Sequence, residues 1–138
     1  MENFIVENDI PVFCVTASSF PDGVMAAHQK LHSLVTFRPD RKYFGLSRPE
    51  GGSIKYMAAT EEEQAGEGEK LGCETLVIRK GIYTSAVIHD YMNDIPAIGK
   101  TFQQMIADPR IDPQGYCVEW YLSQKDVRCM VRLDSEIA

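Results

Sequence analysis

Tyr116-Cys117-Val118-Glu119-Trp120-Tyr121-Leu122 alternates apolar and polar positions, and successive residues of an extended strand face opposite sides. Tyr116, Val118, Trp120 and Leu122 therefore share one face, and Cys117, Glu119 and Tyr121 the other. The first set is the more apolar and is expected to pack against helices. That leaves Glu119 on the open face beside Tyr121, a carboxylate and an aromatic ring within reach of one ligand. A carboxylate amid apolar groups has a raised pKa or is paired with a cation. Aromatic rings add flat apolar contact and cation–π attraction. The competing reading is an ordinary cross-strand ion pair of Glu119 with Arg128 or Arg132 on the adjoining strand.

On either side of this stretch the chain falls into similar pieces. Downstream, Ser123-Gln124-Lys125-Asp126 is a short polar link to a strand at 127–133, completing a hairpin. Upstream, Pro96 starts a helix whose face is Ile98, Thr101, Phe102, Met105 and Ile106, and Asp108-Pro109 stops it. Before that comes a β-rich run, 74–89, with a bend or bulge expected at Gly81. The first half repeats the pattern with a strand at 12–17 and a helix from Pro21-Asp22 carrying Val24, Ala27, Leu31, Leu34 and Val35. A hairpin, 42–48 and 53–59, follows around Pro49-Glu50-Gly51-Gly52. An offset of 73 to 74 residues aligns Val24 with Ile98, Leu31 with Met105 and Tyr43 with Tyr116. The expected fold is α+β, with duplicated β-α-β-β units forming an antiparallel sheet, two helices on one face and a ligand groove on the other. The expected pseudo-repeats are 11–59 and 74–133, joined by an acidic linker, 60–70, within one domain spanning 1–138.

Composition narrows the function. A chain of 138 residues with 44% apolar and 25% charged residues has ordinary globular make-up. A formal charge of −6 argues against direct DNA binding and against anionic membranes, since both need an excess of Lys and Arg. No segment has the apolar length of a membrane span, and the start lacks the form of a signal peptide, so the chain is expected to be cytoplasmic. Cys14, Cys73, Cys117 and Cys129 have no Cys-x-x-Cys spacing and read as reduced thiols. His28 and His32 stand four apart, but Gln29 occupies the place of a zinc-protease glutamate and no third ligand is evident. They read as solvated or edge-of-core residues. No metal and no cofactor is expected.

Lys80-Gly81-Ile82-Tyr83, then Thr101-Phe102-Gln103-Gln104-Met105, then Val118-Glu119-Trp120-Tyr121 ahead of a final strand resemble the gyrase-inhibitor-like family, the AraC-type effector-binding domains of transcription regulators. The resemblance is strongest from Arg79 to Leu133. It implies a groove that takes up hydrophobic, often cationic compounds, with Glu119 matching a ligand-facing strand glutamate. Tyr83 matches the aromatic of a Gly-x-Tyr turn and Tyr121 that of a Glu-x-Tyr strand. Phe44, Met57 and Met130 are further lining candidates. Many relatives carry a DNA-binding helix-turn-helix ahead of this domain, and about ten residues before the first strand are too few for one.

Three functions stay open. The first is a stand-alone small-molecule-binding domain for hydrophobic or cationic compounds. The second, which the resemblance supplies, is a hydrolase of strained cyclopropane-containing genotoxic natural products, with Glu119 activating water and Tyr121 or Tyr83 donating to a developing oxyanion. There the family motif favours Trp two residues after the Glu, where this chain has Tyr121. The third is a protein-interaction or inhibitor module using the acidic surface.

Overall fold

The computed structural model describes residues 1–134. The sheet strands are β1 (Glu2–Val6), β2 (Ile10–Thr16), β3 (Tyr43–Glu50), β4 (Ser53–Glu61), β5 (Glu74–Ile78), β6 (Gly81–Ile88), β7 (Cys117–Tyr121) and β8 (Val127–Arg132). They form one sheet in the order β1-β6-β8-β7-β3-β4-β2-β5, with every neighbouring pair antiparallel. Helices α1 (Val24–Leu34), α2 (Glu67–Lys70) and α3 (Pro96–Ile106) and a 3₁₀ turn at Tyr91–Asn93 interrupt the strands.

Connection lengths force this sheet to curl. β1 is first in the order and β2 seventh, so a flat sheet would hold them about 29 Å apart. The chain from Val6 to Ile10 can span only about 14 Å. β5 and β6 likewise lie far apart in the order, yet Arg79-Lys80 alone join them. The outer strands must swing toward each other, giving a half-barrel. Its concave side is lined by one cluster that includes Val6, Val12, Phe44, Leu46, Met57, Ile78, Tyr83, Val118 and Met130.

The expected duplicated β-α-β-β architecture is corrected on three counts. The sheet has eight strands, because the 74–89 run is two strands divided at Arg79-Lys80 and because β1 joins the edge. β1 was missed because its short sequence becomes a strand through pairing with β6, a tertiary effect with little local signal. α1 and α3 are each preceded by two strands, and a third helix, α2, lies between the halves. The groove side is also reversed. Val118 packs into the concave cluster and Trp120 packs against it, whereas the Glu119 face carries α1 and α3. A sheet that curls into a half-barrel offers its apolar residues a second place to be buried.

Local chemistry explains the helix limits. Pro96 lies in the first turn of α3, where its missing N–H costs nothing. α3 buries Phe102 and Met105 against Val127, Cys129 and Val131. α1 buries Ala27 and Leu31 against Phe13, Val15 and Ala58 and ends where Val35 turns extended. Glu61 closes β4. Beyond it, Glu63 and Glu67 pair with Arg41, which is 8% exposed and also bonds the Thr60 hydroxyl.

Candidate functional site: a buried carboxylate among aromatic rings

Register places Glu119 at the centre of a row of small residues. Across the sheet the row reads Ala86, Cys129, Glu119, Gly45, Ala58. α3 lies over the Cys129 end and α1 over the Ala58 end, each with its own apolar cluster. Between the helices the floor has low side chains, and the rings of Tyr56, Tyr121 and His28 cover the Glu119 carboxylate there. Gly45 is required there. A Cβ on it would meet the Tyr56 hydroxyl at 2.2 Å and the Tyr121 hydroxyl at 3.0 Å.

Those hydroxyls belong to a chain of hydrogen bonds ending on the carboxylate. Tyr121 O–H donates to Glu119 Oε1 at 2.8 Å. Its oxygen lies 3.0 Å from the Tyr56 hydroxyl, which lies 2.8 Å from His28 Nε2. With the Tyr121 proton directed at Glu119, Tyr56 must donate to Tyr121, and His28 in its Nε2–H form must donate to Tyr56. Every donor then points toward the carboxylate. Rings complete the walls: Phe20 stacks on Tyr56 with centroids 5.9 Å apart, Tyr91 lies 5.9 Å from Tyr121, and His28 meets Tyr121 edge-on at 5.5 Å. Phe20 is 46% exposed and carries this stack of rings to the surface.

Glu119 is only 9% exposed, and among the described residues no cationic side chain pairs with it. Arg128 and Arg132, its possible ion-pair partners by sequence, bond Glu2 and Ser85, and Asp112, respectively. Burial pushes the Glu119 carboxyl up to about 7, against the lowering pull of the Tyr121 hydrogen bond. Burial, and then the neighbouring His32, push His28 down to about 4, so it is neutral near pH 7. Burial, followed by the Glu119 charge, pushes Tyr56 and Tyr121 above their usual range. The site therefore holds one titratable charge without a counter-ion. Cys129 and Cys117, also on this face, are pushed up to about 12 and about 11, mainly by burial, and are not thiolates at neutral pH.

Of the residues proposed from sequence, Glu119 and Tyr121 come together here. Phe44, Met57 and Met130, each 0% exposed, lie in the concave cluster on the opposite face. Tyr83 is in the same cluster, its hydroxyl donating to the Arg79 carbonyl at 2.6 Å. Sequence reasoning did not identify His28, Tyr56, Phe20, Tyr91 or Gly45 as site residues. One available signal was Gly45 itself, since a glycine inside a strand marks a close approach. Of the acidic run at the end of β4, Glu61 pairs with Lys42 and Glu63 with Arg38 and Arg41.

No family model matches the chain, and no curated protein matches it. Solved structures do. An integron cassette protein from the mobile metagenome of Vibrio cholerae superposes with a TM-score of 0.72 at 11% identity, over 96% of this chain and 95% of that one. SAV2435, solved bound to tetraphenylphosphonium, gives a TM-score of 0.66 at 11% identity, over 99% and 96% of the two chains. A hydrolase from Listeria innocua gives 0.50 at 11% identity, over 96% and 90%. At such identities the likeness is one of fold.

Proposed function

We propose that the chain is a small-molecule-binding domain of the gyrase-inhibitor-like type that takes up bulky apolar monocations, with Glu119 as their counter-ion. The observation that carries this reading is a buried carboxylate that has one hydrogen-bond donor, no cationic partner among the described residues, and aromatic rings around it. Such a group is costly to ionise alone, and a ligand bringing a diffuse positive charge and apolar surface relieves that cost. Phe20 and Tyr121 supply the flat contact and cation–π attraction. The shared fold of SAV2435, itself solved with tetraphenylphosphonium, supports the same ligand class.

Tetraphenylphosphonium and neutral triphenylphosphine oxide make a matched pair of probes. Wild type should bind the cation at least tenfold more tightly, and Glu119→Gln should bring the two affinities together, since a buried charge pair is worth more than about 1.4 kcal/mol. An equal loss for both probes in the variant would sink the reading.

Hydrolysis of a strained cyclopropane ring is the second reading, favoured by the placing of the Glu119 carboxyl near 7, a suitable value for a general base. Against it, the Tyr121 proton is already directed at Glu119 and is not free to meet an oxyanion. Recovery of an unchanged cyclopropane-containing alkylator after prolonged incubation with the protein would exclude this reading; a product lost in Glu119→Gln would support it.

A further inference from the structure

A cavity of about 370 Å³ opens on the concave side of the half-barrel, the face away from Glu119. Leu46, Ile78, Tyr83 and Val118 give it an apolar floor, and Arg79, Arg132 and Asp112 are its charged groups. This volume is within the range of small-ligand sites. Asp112 is fully engaged: Oδ2 accepts from Arg132 Nη1 at 3.1 Å and Oδ1 from the Gln114 N–H at 2.9 Å. Arg132 also donates from Nε to the Lys80 carbonyl at 3.0 Å. Gly81, at φ +145°, makes room for it, since a Cβ there would sit 2.9 Å from that Nε.

Arg79 is different. Its carbonyl is pinned by the Tyr83 hydroxyl, but among the described residues its exposed guanidinium has neither hydrogen bond nor ion pair. With Asp112 pairing Arg132, Arg79 is the lining cation left without a partner at the edge of the apolar floor, and Asp9, whose charge also reaches Tyr83, is held by the Lys80 N–H. This unpaired cation contrasts with a chain of formal charge −6. We propose that this cavity binds an amphipathic monocarboxylate, its alkyl or aryl body on Leu46, Ile78 and Val118 and its carboxylate on the fork of Arg79. A guanidinium matches a carboxylate through two parallel hydrogen bonds, and it repels a cation of the same shape. This site is independent of the one at Glu119, with the opposite charge and on the opposite face.

The probes are 4-phenylbutyrate and 4-phenylbutylamine, which share a body and differ in charge, titrated into ¹⁵N-labelled protein. Phenylbutyrate is expected to give saturable shifts at Leu46, Ile78 and Val118 that phenylbutylamine does not. Arg79→Gln should weaken it about tenfold, as loss of a charged hydrogen bond predicts. It should leave the melting temperature unchanged, because the Arg79 side chain has no internal partner. Glu119→Gln should leave phenylbutyrate binding as in wild type. The proposal is overturned by the absence of saturable shifts, by equal binding in Arg79→Gln, or by shifts centred on Glu119 that vanish in Glu119→Gln.

Discussion

Glu119 and His28 sit at the two ends of one hydrogen-bonded chain, and burial acts on them in opposite senses. Folding raises the Glu119 carboxyl from an ordinary 4.5 to about 7, so the folded state holds that proton more tightly. The stability this group contributes is fully present below pH 4.5 and is lost as pH rises to about 7, an effect of about 3 kcal/mol. His28 is lowered from 6.5 to about 4. Its contribution is present above pH 6.5 and is lost as pH falls toward 4. The two slopes oppose each other between pH 4.5 and 6.5. Relative to wild type, Glu119→Gln should therefore gain stability as pH rises through this window, and His28→Gln should lose it. Urea unfolding of both variants at several pH values reads this directly, and parallel slopes would contradict the relay.

At the scale of elements, the small-residue row across β6, β8, β7, β3 and β4 makes room for the Tyr56 and Tyr121 rings, and β3 supplies its tightest point. Gly45→Ala would drive a methyl into the Tyr56 and Tyr121 hydroxyls. Overpacking of this kind costs about 1–3 kcal/mol. It should also displace the Tyr121 donor and weaken tetraphenylphosphonium binding at pH 7. Thermal unfolding and a binding isotherm check both effects, and an unchanged variant would show that the row has slack. The alternation in β7 showed from sequence that Glu119 and Tyr121 share a face, because strand geometry alone sets that relation. It did not show which face bears the helices, because Val118 and Trp120 could be buried either under helices or inside a curled sheet. α3 begins at Pro96 in both readings, since proline is a local signal. Tyr56 and His28 reach Tyr121 from β4 and α1, and nothing in their own neighbourhoods announces that meeting.

For the whole molecule, the half-barrel separates two environments, an apolar concave interior and a helix-flanked cluster of rings around Glu119. Met130 is fully buried in the first, one residue from Cys129, which faces the second. Met130→Ala should cost about 2–5 kcal/mol of stability. It should leave tetraphenylphosphonium affinity within about twofold, as expected for sites sharing no partner. A tenfold affinity loss at normal stability would place the ligand on the concave side instead. The curl was not legible in sequence, because it follows from which strands pair, and the pairings of β1 with β6 and β2 with β5 join distant segments.

An ionised, unpaired Glu119 that binds the ligand's charge makes tetraphenylphosphonium affinity depend on pH. Between pH 5 and 9 wild-type affinity should rise about tenfold per pH unit below a break near 7 and then level off, while Glu119→Gln should bind weakly at every pH. A wild-type affinity independent of pH, or a variant that binds as tightly as wild type, would contradict the account.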